Sequence, residues 1–351
     1  MRAVVYHGQG DVRVETVATP VPKKDNIIIR VDCCLICGTD LKIWRIGNPK
    51  VIPPRILGHE VCGQITHIGE GETDLKVGDR VAIATTMSCG ECYYCKHGMG
   101  NMCAHSSCVG TTYDGAFADY VEIPMRSARH LIKVPENVSS EAAAICEPLS
   151  CAINAQEIIG VGEGDRVAII GGGPLGAIHA ELAKARGARE VYLVGSSAER
   201  LKLLQHLQKI TLIDGSDGAA AQKIRDLTDG IGADRVIVCA PIKPAFQSAF
   251  DMVRKGGAIS HFASLPRGDS EITIDTRTIH YNELRVAGVS DSRPEHVRKA
   301  VEYLSAGKID TGAIITHRLA MQDIVTGFEM MRDRRCLKVA VYPDETKMQE
   351  R

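Results

Sequence analysis

Arg166-Val-Ala-Ile-Ile170-Gly171-Gly-Gly173-Pro174-Leu175-Gly176 runs from a short β-branched strand into a glycine turn, and Ala177 to Arg186 continues with helical character until Gly187. The glycines fit G-x-G-x-x-G in the setting that gives it meaning, after a strand and before a helix. There Gly171 permits the tight turn, Gly173 lets a pyrophosphate approach the backbone, and Gly176 lets helix pack on strand. Pro174 and Leu175 complete the turn, and the amides at the helix N-terminus then hold phosphate. A plain tight turn is the bland reading of such glycines. The strand–turn–helix context favours a dinucleotide.

Downstream, the alternation continues with a strand at Val191 to Val194 and a helix at Ala198 to Leu207. Further strands follow at Arg235 to Cys239 and Ala258 to Phe262. Strands alternating with helices predict a parallel, doubly wound sheet, the Rossmann arrangement. An NAD enzyme of this kind places a carboxylate at the tip of the second strand. Here the tip falls at Gly195, and the chain reads Gly195-Ser196-Ser197-Ala-Glu199-Arg200, with no acid directly at that point. Small hydroxyl residues and Arg200 leave room and charge for a 2′-phosphate, so NADP(H) is favoured and NAD(H) stays open. Arg200 as a solvated helix residue pairing with Glu199 is the alternative.

Upstream the character changes. Val12 and Val14, Asn26 to Val31, Val61 to Ile68 and Val77 to Ala84 read as strands broken by Pro20, Pro22 and Gly69-Glu-Gly71. Residues 1–140 are therefore expected to form a β-rich domain, a partly open barrel. Ala142, Ala143 and Ala144 open a helical segment after Glu141. The chain closes with helices at Pro294 to Ser305 and Met321 to Met331 and a strand at Leu337 to Tyr342.

At 351 residues two domains are expected. A formal net charge of -1 gives no reason to expect nucleic acid or an acidic membrane as partner. Met1-Arg-Ala-Val-Val has no apolar run ahead of a cleavage site, and no stretch is long enough to span a bilayer. A cytoplasmic protein is expected. Its thirteen cysteines, an odd number, then point to metal ligands and core fillers in place of disulfides.

Two cysteine-bearing stretches carry metal chemistry. Cys37-Gly38-Thr39-Asp40 is followed by a basic, proline-containing loop and then Gly58-His59-Glu60. A thiolate and an imidazole are two ligands of an open zinc site, which needs a third ligand and a free position for substrate. Cys89-x2-Cys92-x2-Cys95-x7-Cys103 places four thiolates in one short loop, which suits a closed tetrahedral zinc that crosslinks the loop. Bacterial ferredoxins also begin C-x2-C-x2-C but continue x3-C-P, and Lys96 to Met99 supplies neither.

With Cys37, Gly58-His59-Glu60, the four-cysteine lobe and the glycine turn in that order, the chain resembles the zinc-containing medium-chain dehydrogenases over nearly its whole length. Glu147-Pro148-Leu149 makes it most similar to the polyol (sorbitol-type) and threonine dehydrogenase branch. The resemblance implies a GroES-like catalytic domain at residues 1–148 and 289–351, with a Rossmann domain at 149–288 between. It implies two zinc ions per chain. Cys37, His59 and Glu147 would surround the catalytic zinc, Glu147 directly or through water, with Glu60 a nearby carboxylate that can ligate or tune the metal. Cys146 is the other candidate for the third ligand. Cys89, Cys92, Cys95 and Cys103 would hold the structural zinc, and Thr39 would bond the reacting oxygen. A small alcohol or ketone as substrate and a homo-oligomer, tetramer or dimer, follow from the same likeness.

Two positions depart from the family pattern. Lys42 stands where many relatives place a proton-relay histidine, and Gly288-Val-Ser-Asp291-Ser-Arg293 lacks the Arg-Tyr of sorbitol dehydrogenases. Trp44 falls where pocket-lining aromatics occur in relatives, or is a core or interface residue. Lys42, Arg45, Lys50 and Arg55 either select an anionic substrate or form an ordinary solvated loop. The expected activity is oxidation of a secondary alcohol of a polyol or sugar derivative. A threonine-type amino-alcohol dehydrogenase and a non-catalytic zinc-stabilised protein are the alternatives.

Overall fold

The computed structural model describes residues 1–348. One compact unit comprises Met1–Ser150, Asp291–Gly307 and the chain from Ile315 on; the other comprises Cys151–Ser290 and Lys308–Ile314. These borders lie two residues beyond the expected 148/149 and 288/289 positions. Residues 308–314, expected in the return segment, group with the second unit.

The second unit is built on six parallel strands. In spatial order they are Thr211–Asp214, Glu190–Gly195, Arg166–Ile170, Ala233–Val238, Val253–His261 and Arg285–Gly288. The central strands read as continuous apolar runs because helices cover both faces of a doubly wound sheet. Val167, Ala168, Ile169, Val236, Ile237 and Val238 are all fully buried. The strand order reverses beside Arg166–Ile170, and the turn at Gly171 leaves the carboxyl end of that strand, where such sheets bind ligands.

The first unit is organised around the long strand Asn26–Leu35. It pairs antiparallel with Glu60–Ile68, with Tyr120–Pro124 and, from the far end of the chain, with Lys338–Tyr342. Lys338–Tyr342 in turn carries Ile315–Ala320 in parallel. The return segment is thus part of the main sheet, and Ile36 N–H donates to the Val339 carbonyl at 3.0 Å. Arg2–Gly8, Asp11–Thr16 and Arg55–Ile56 form a second, smaller sheet.

The stretch after Cys37 was expected to be a loop, and its first part is a helix, Gly38–Ile46. Asp40 in its first turn accepts a hydrogen bond from the Cys37 backbone N–H at 2.9 Å, so the acid caps the helix it belongs to. Asp40 and Ile43 are the buried residues, while Lys42 and Arg45 face solvent. Nine residues hold too few turns for that periodicity to stand out against two glycines and a run of charges. Val77, read as the start of a strand, is 63% exposed, and the strand begins at Arg80.

Trp44 is a packing residue. Its ring lies 5.4 Å from that of Phe328, which in turn meets Phe117 at 6.4 Å. Phe328 is fully buried and comes from the return helix Ile324–Arg332. Phe328→Ala should cost about 3–5 kcal/mol of the first unit's stability through lost burial and the cavity left behind. Urea unfolding followed by fluorescence of Trp44, the single tryptophan, checks this in the unit concerned.

Candidate metal centres and cofactor site

Cys37 leaves the end of the strand Asn26–Leu35, and His59 enters the neighbouring strand Glu60–Ile68, so two adjacent strand ends bring the two side chains together. A ligand atom of Glu60 completes the cluster, all three atoms lying within 4.8 Å of one another. Gly58, just before His59, has φ +94°, and a Cβ there would meet the Phe117 ring at 2.7 Å. Its carbonyl accepts from Ala116 N–H at 2.9 Å. The glycine beside the histidine therefore answers to close packing as well as to turn geometry.

The cluster draws positive charge. Asp40 is fully buried, and its Oδ1 lies 3.3 Å from His59 Nδ1, off the line of a good hydrogen bond, so both atoms lack a well-aligned partner. Burial alone would lower the His59 pKa, but the charges of Asp40 and Cys37 outweigh it and hold the pKa well above its ordinary value. A thiol, an imidazole and carboxylates converging in a buried space form a donor set suited to zinc. The acid behind the imidazole is the usual outer support of a metal-bound histidine.

Glu60 is already engaged. Lys338, 2% exposed, donates from Nζ to Glu60 Oε2 at 2.6 Å, to Glu60 Oε1, and to the Ile36 carbonyl at 3.3 Å. Burial raises the Glu60 pKa against the pull of the Lys338 charge. Sequence reading did not single out Lys338. Its only signal was a lysine opening an otherwise apolar strand, Lys338-Val-Ala-Val-Tyr342.

Glu147 lies outside the three-residue cluster. It accepts from Thr85 Oγ1 at 3.4 Å, and one of its oxygens is within 4.8 Å of an Asp291 oxygen. Burial pushes its pKa up to about 7; His59 opposes the shift, while Glu60 and Asp291 add to it. Asp291 sits at φ +59° with its carboxylate accepting from Thr86 Oγ1 and from Ser292 N–H at 2.8 Å. Cys146, the other candidate ligand, is fully buried and belongs to neither group. Thr39 is exposed in the first turn of its helix. Of the basic residues nearby, Lys42, Arg45 and Lys50 are exposed, and Arg55 pairs with Asp114 at 2.9 Å.

In the four-cysteine lobe the sulfur atoms form a compact tetrahedron. Cys89–Cys95, Cys92–Cys95, Cys92–Cys103 and Cys89–Cys103 are separated by 3.9, 3.5, 3.8 and 3.5 Å. A zinc–sulfur distance of about 2.3 Å corresponds to tetrahedral edges of roughly 3.8 Å, whereas a disulfide is about 2.05 Å. Backbone N–H groups of Cys89, Glu91 and His105 point at Cys103 or Cys89 sulfur at 3.3–3.4 Å. Such donors favour thiolate: backbone hydrogen bonds lower the Cys89 pKa and bring that of Cys92 to about 6, while burial raises that of Cys95 to about 11. The short pairing of Thr86–Met87 with Ser107–Cys108 closes the base of the lobe.

The glycine turn has the form that a pyrophosphate needs. A Cβ on Gly176 would lie 1.9 Å from the Gly171 carbonyl oxygen, so only glycine lets the helix Pro174–Ala185 approach the strand. Gly173 has nothing within 4 Å of its Cβ position, and no side chain caps the helix there. Open space over uncapped amides fits a phosphate. At the second strand's tip, Gly195 is buried and Ser196 exposed. Ser197 caps the following helix, accepting from Arg200 N–H at 3.4 Å, and donates its hydroxyl to Glu199 Oε2 at 2.8 Å. A carboxylate therefore stands on Ser197, two residues past this tip, brought back by the first turn of the helix.

A thiolate–imidazole centre in a GroES-like unit, together with a dinucleotide turn in a Rossmann unit, defines a metal-dependent dehydrogenase. Residues 23–136 match the alcohol dehydrogenase GroES-like domain, and residues 174–306 match the zinc-binding dehydrogenase family. The chain is 33% identical to sorbitol dehydrogenase of Bacillus subtilis over 98% of each chain. It is 32% identical to L-threonine 3-dehydrogenase of Thermococcus kodakarensis over 93% of each. A zinc-binding dehydrogenase of Sinorhizobium meliloti bound to NADP superposes with a TM-score of 0.90 at 29% identity, covering 97% of this chain and 99% of that one. The chain belongs to the zinc-containing medium-chain dehydrogenases, in the polyol and threonine dehydrogenase branch. It is an NAD(P)-dependent alcohol dehydrogenase.

Cys92→Ser should lower stability by roughly 2 kcal/mol or more, because the lobe leaves Tyr93, Tyr94, Met99 and Met102 exposed and has its four converging thiols in place of an apolar core. Cys37→Ser should leave the protein folded and abolish turnover. Thermal unfolding and circular dichroism of the two variants test the contrast, and full stability of Cys92→Ser would exclude the lobe as a metal crosslink.

Proposed function

We propose that the enzyme interconverts a secondary alcohol of a polyol or sugar derivative and its ketone. The observation that carries this reading is the cluster of half-buried Cys37 with buried His59 and Glu60, whose surroundings favour a cation where two strand ends converge. Cys37 and His59 hold the catalytic zinc, and Glu147 completes its surroundings directly or through water. The bound zinc supplies Lewis acidity toward the alcohol oxygen, and the nicotinamide accepts or returns the hydride. Thr39 accepts the alcohol proton in a hydrogen bond and passes it outward. Lys42, exposed one turn further on, stands in solvent, so the proton leaves to water without a histidine relay. Cys89, Cys92, Cys95 and Cys103 hold a second, structural zinc.

Gly171, Gly173, Pro174, Leu175 and Gly176 take the pyrophosphate, while Gly195, Ser196, Ser197 and Arg200 meet the adenosine ribose. We favour NADP(H), with NAD(H) the alternative. The missing acid at Gly195 supports this reading, but Glu199 on Ser197 weakens it, since the carboxylate must turn away before a 2′-phosphate enters. One observation favours the amino-alcohol reading as well: the carboxylates of Glu147 and Asp291 lie within 4.8 Å of each other, a place suited to an ammonium group. The protein is inferred to be a cytoplasmic homo-oligomer, dimer or tetramer. Among the described residues no helix is long and apolar enough to cross a membrane.

Polyols, sugar acids, phosphorylated polyols and threonine, each assayed with NAD⁺ and NADP⁺, test the substrate reading. Turnover should be highest with a neutral polyol or sugar derivative; a threonine preference selects the second reading, and no turnover with any alcohol refutes both. Metal analysis should find two zinc ions per chain, one removed by chelator together with activity and one retained. A single zinc, or iron in the lobe, would refute that assignment.

For the cofactor, kcat/KM should favour NADP⁺ or differ little between the two. A preference for NAD⁺ of more than about tenfold, roughly 1.4 kcal/mol in transition-state stabilisation, would overturn the proposal. Glu199→Gln should raise kcat/KM with NADP⁺ and leave the NAD⁺ value within about twofold, less than 0.5 kcal/mol.

A further inference from the structure

Lys338 enters the site from the return segment, 278 residues along the chain from Glu60. An ammonium carries three N–H donors. Here two meet the two Glu60 oxygens and the third meets the Ile36 carbonyl, one residue before the metal-binding Cys37. Lys338 is 2% exposed and Glu60 is fully buried, so neither charge has water to fall back on. Burying such a pair costs several kcal/mol in desolvation, and leaving either partner alone costs more. Glu60 therefore has two possible cations within reach, the lysine it now holds with both oxygens and the metal that Cys37 and His59 take.

We propose that Lys338 is a positioning residue that holds Glu60 off the catalytic metal, and so keeps a coordination position open for substrate. This rests on the reading of Cys37 and His59 as metal ligands. Charge gives the physical reason. With Lys338 in place, Glu60 is neutralised from behind, and the metal carries one anionic donor fewer than it would with Glu60 bound. Without Lys338 the same carboxylate, buried and uncompensated, turns to the metal as the only cation left in reach. It then fills the open position and lowers the metal's electrophilicity.

The test compares wild type, Lys338→Met, Lys338→Arg and Glu60→Gln, each loaded with cobalt at the catalytic centre. The part of the visible spectrum that vanishes in Cys37→Ser reports that centre alone. Lys338→Met should change the intensity of the cobalt bands, slow metal release to chelator by about tenfold or more, and cut kcat; metal affinities respond to outer-shell changes on the order of 10–100-fold. Lys338→Arg should restore the wild-type spectrum and release rate. Glu60→Gln should keep the wild-type cobalt band positions, because in wild type Glu60 is not a ligand.

A folded Lys338→Met with the wild-type spectrum and release rate overturns the proposal. If Lys338→Met does not fold, Glu60→Gln decides: cobalt bands shifted from their wild-type positions would mean that Glu60 already ligates. Failure of the underlying reading looks different, since wild type would then show no cobalt band sensitive to Cys37→Ser.

Discussion

Anionic donors cannot be gathered inside an apolar sheet without compensation, and the first unit is arranged around that constraint. Cys37, Asp40 and Glu60 converge where strands end in the interior, with Asp40 and Glu60 fully buried. Three features answer the charge: the Cys37 amide on Asp40, the His59 imidazole, and the Lys338 ammonium on Glu60. Replacing Lys338 by an apolar residue would suit the surrounding strand and leave the carboxylate stranded. The need for a buried cation gives a physical reason for the chain to return after the nucleotide unit and lay its last described strand against Asn26–Leu35.

Backbone proximity is the second constraint, and glycine is its instrument. Gly58 lies under Phe117, and the Cβ positions of Gly110 and Gly115 approach Gly58 or Leu57 backbone atoms to 2.8 and 2.4 Å. That crowding fixes the chain just before His59, so the imidazole is aimed by packing. In the nucleotide unit Gly176 serves the same end, bringing the helix and its amides up to the strand. Both sites are therefore preorganised by close backbone approach as much as by side-chain contacts.

The lobe solves a different problem. Between Cys89 and Cys103 the chain has one four-residue helix and one short 3-10 turn, and Tyr93, Tyr94, Met99 and Met102 are all exposed. A segment with its apolar residues outside has no core to order it, and four converging thiols take the place of one.

Features encoded within about twenty residues could be read from the sequence alone. The strand–glycine turn–helix, the four-cysteine spacing and the thiol–histidine pair each carry their chemistry locally, and the parallel unit follows from alternating periodicities. The helix Gly38–Ile46 was missed because nine residues give a weak period, and the Glu199 carboxylate was discounted because only the first helical turn folds it back onto Ser197. Tertiary structure alone decided the rest: Trp44 as packing against Phe328, Asp291 beside Glu147, and Lys338 on Glu60. Contacts across 142 or 278 residues, such as Ser150 with Ser292 or Glu60 with Lys338, leave no local pattern. A buried lysine reads as an ordinary charge until the strand that carries it is placed.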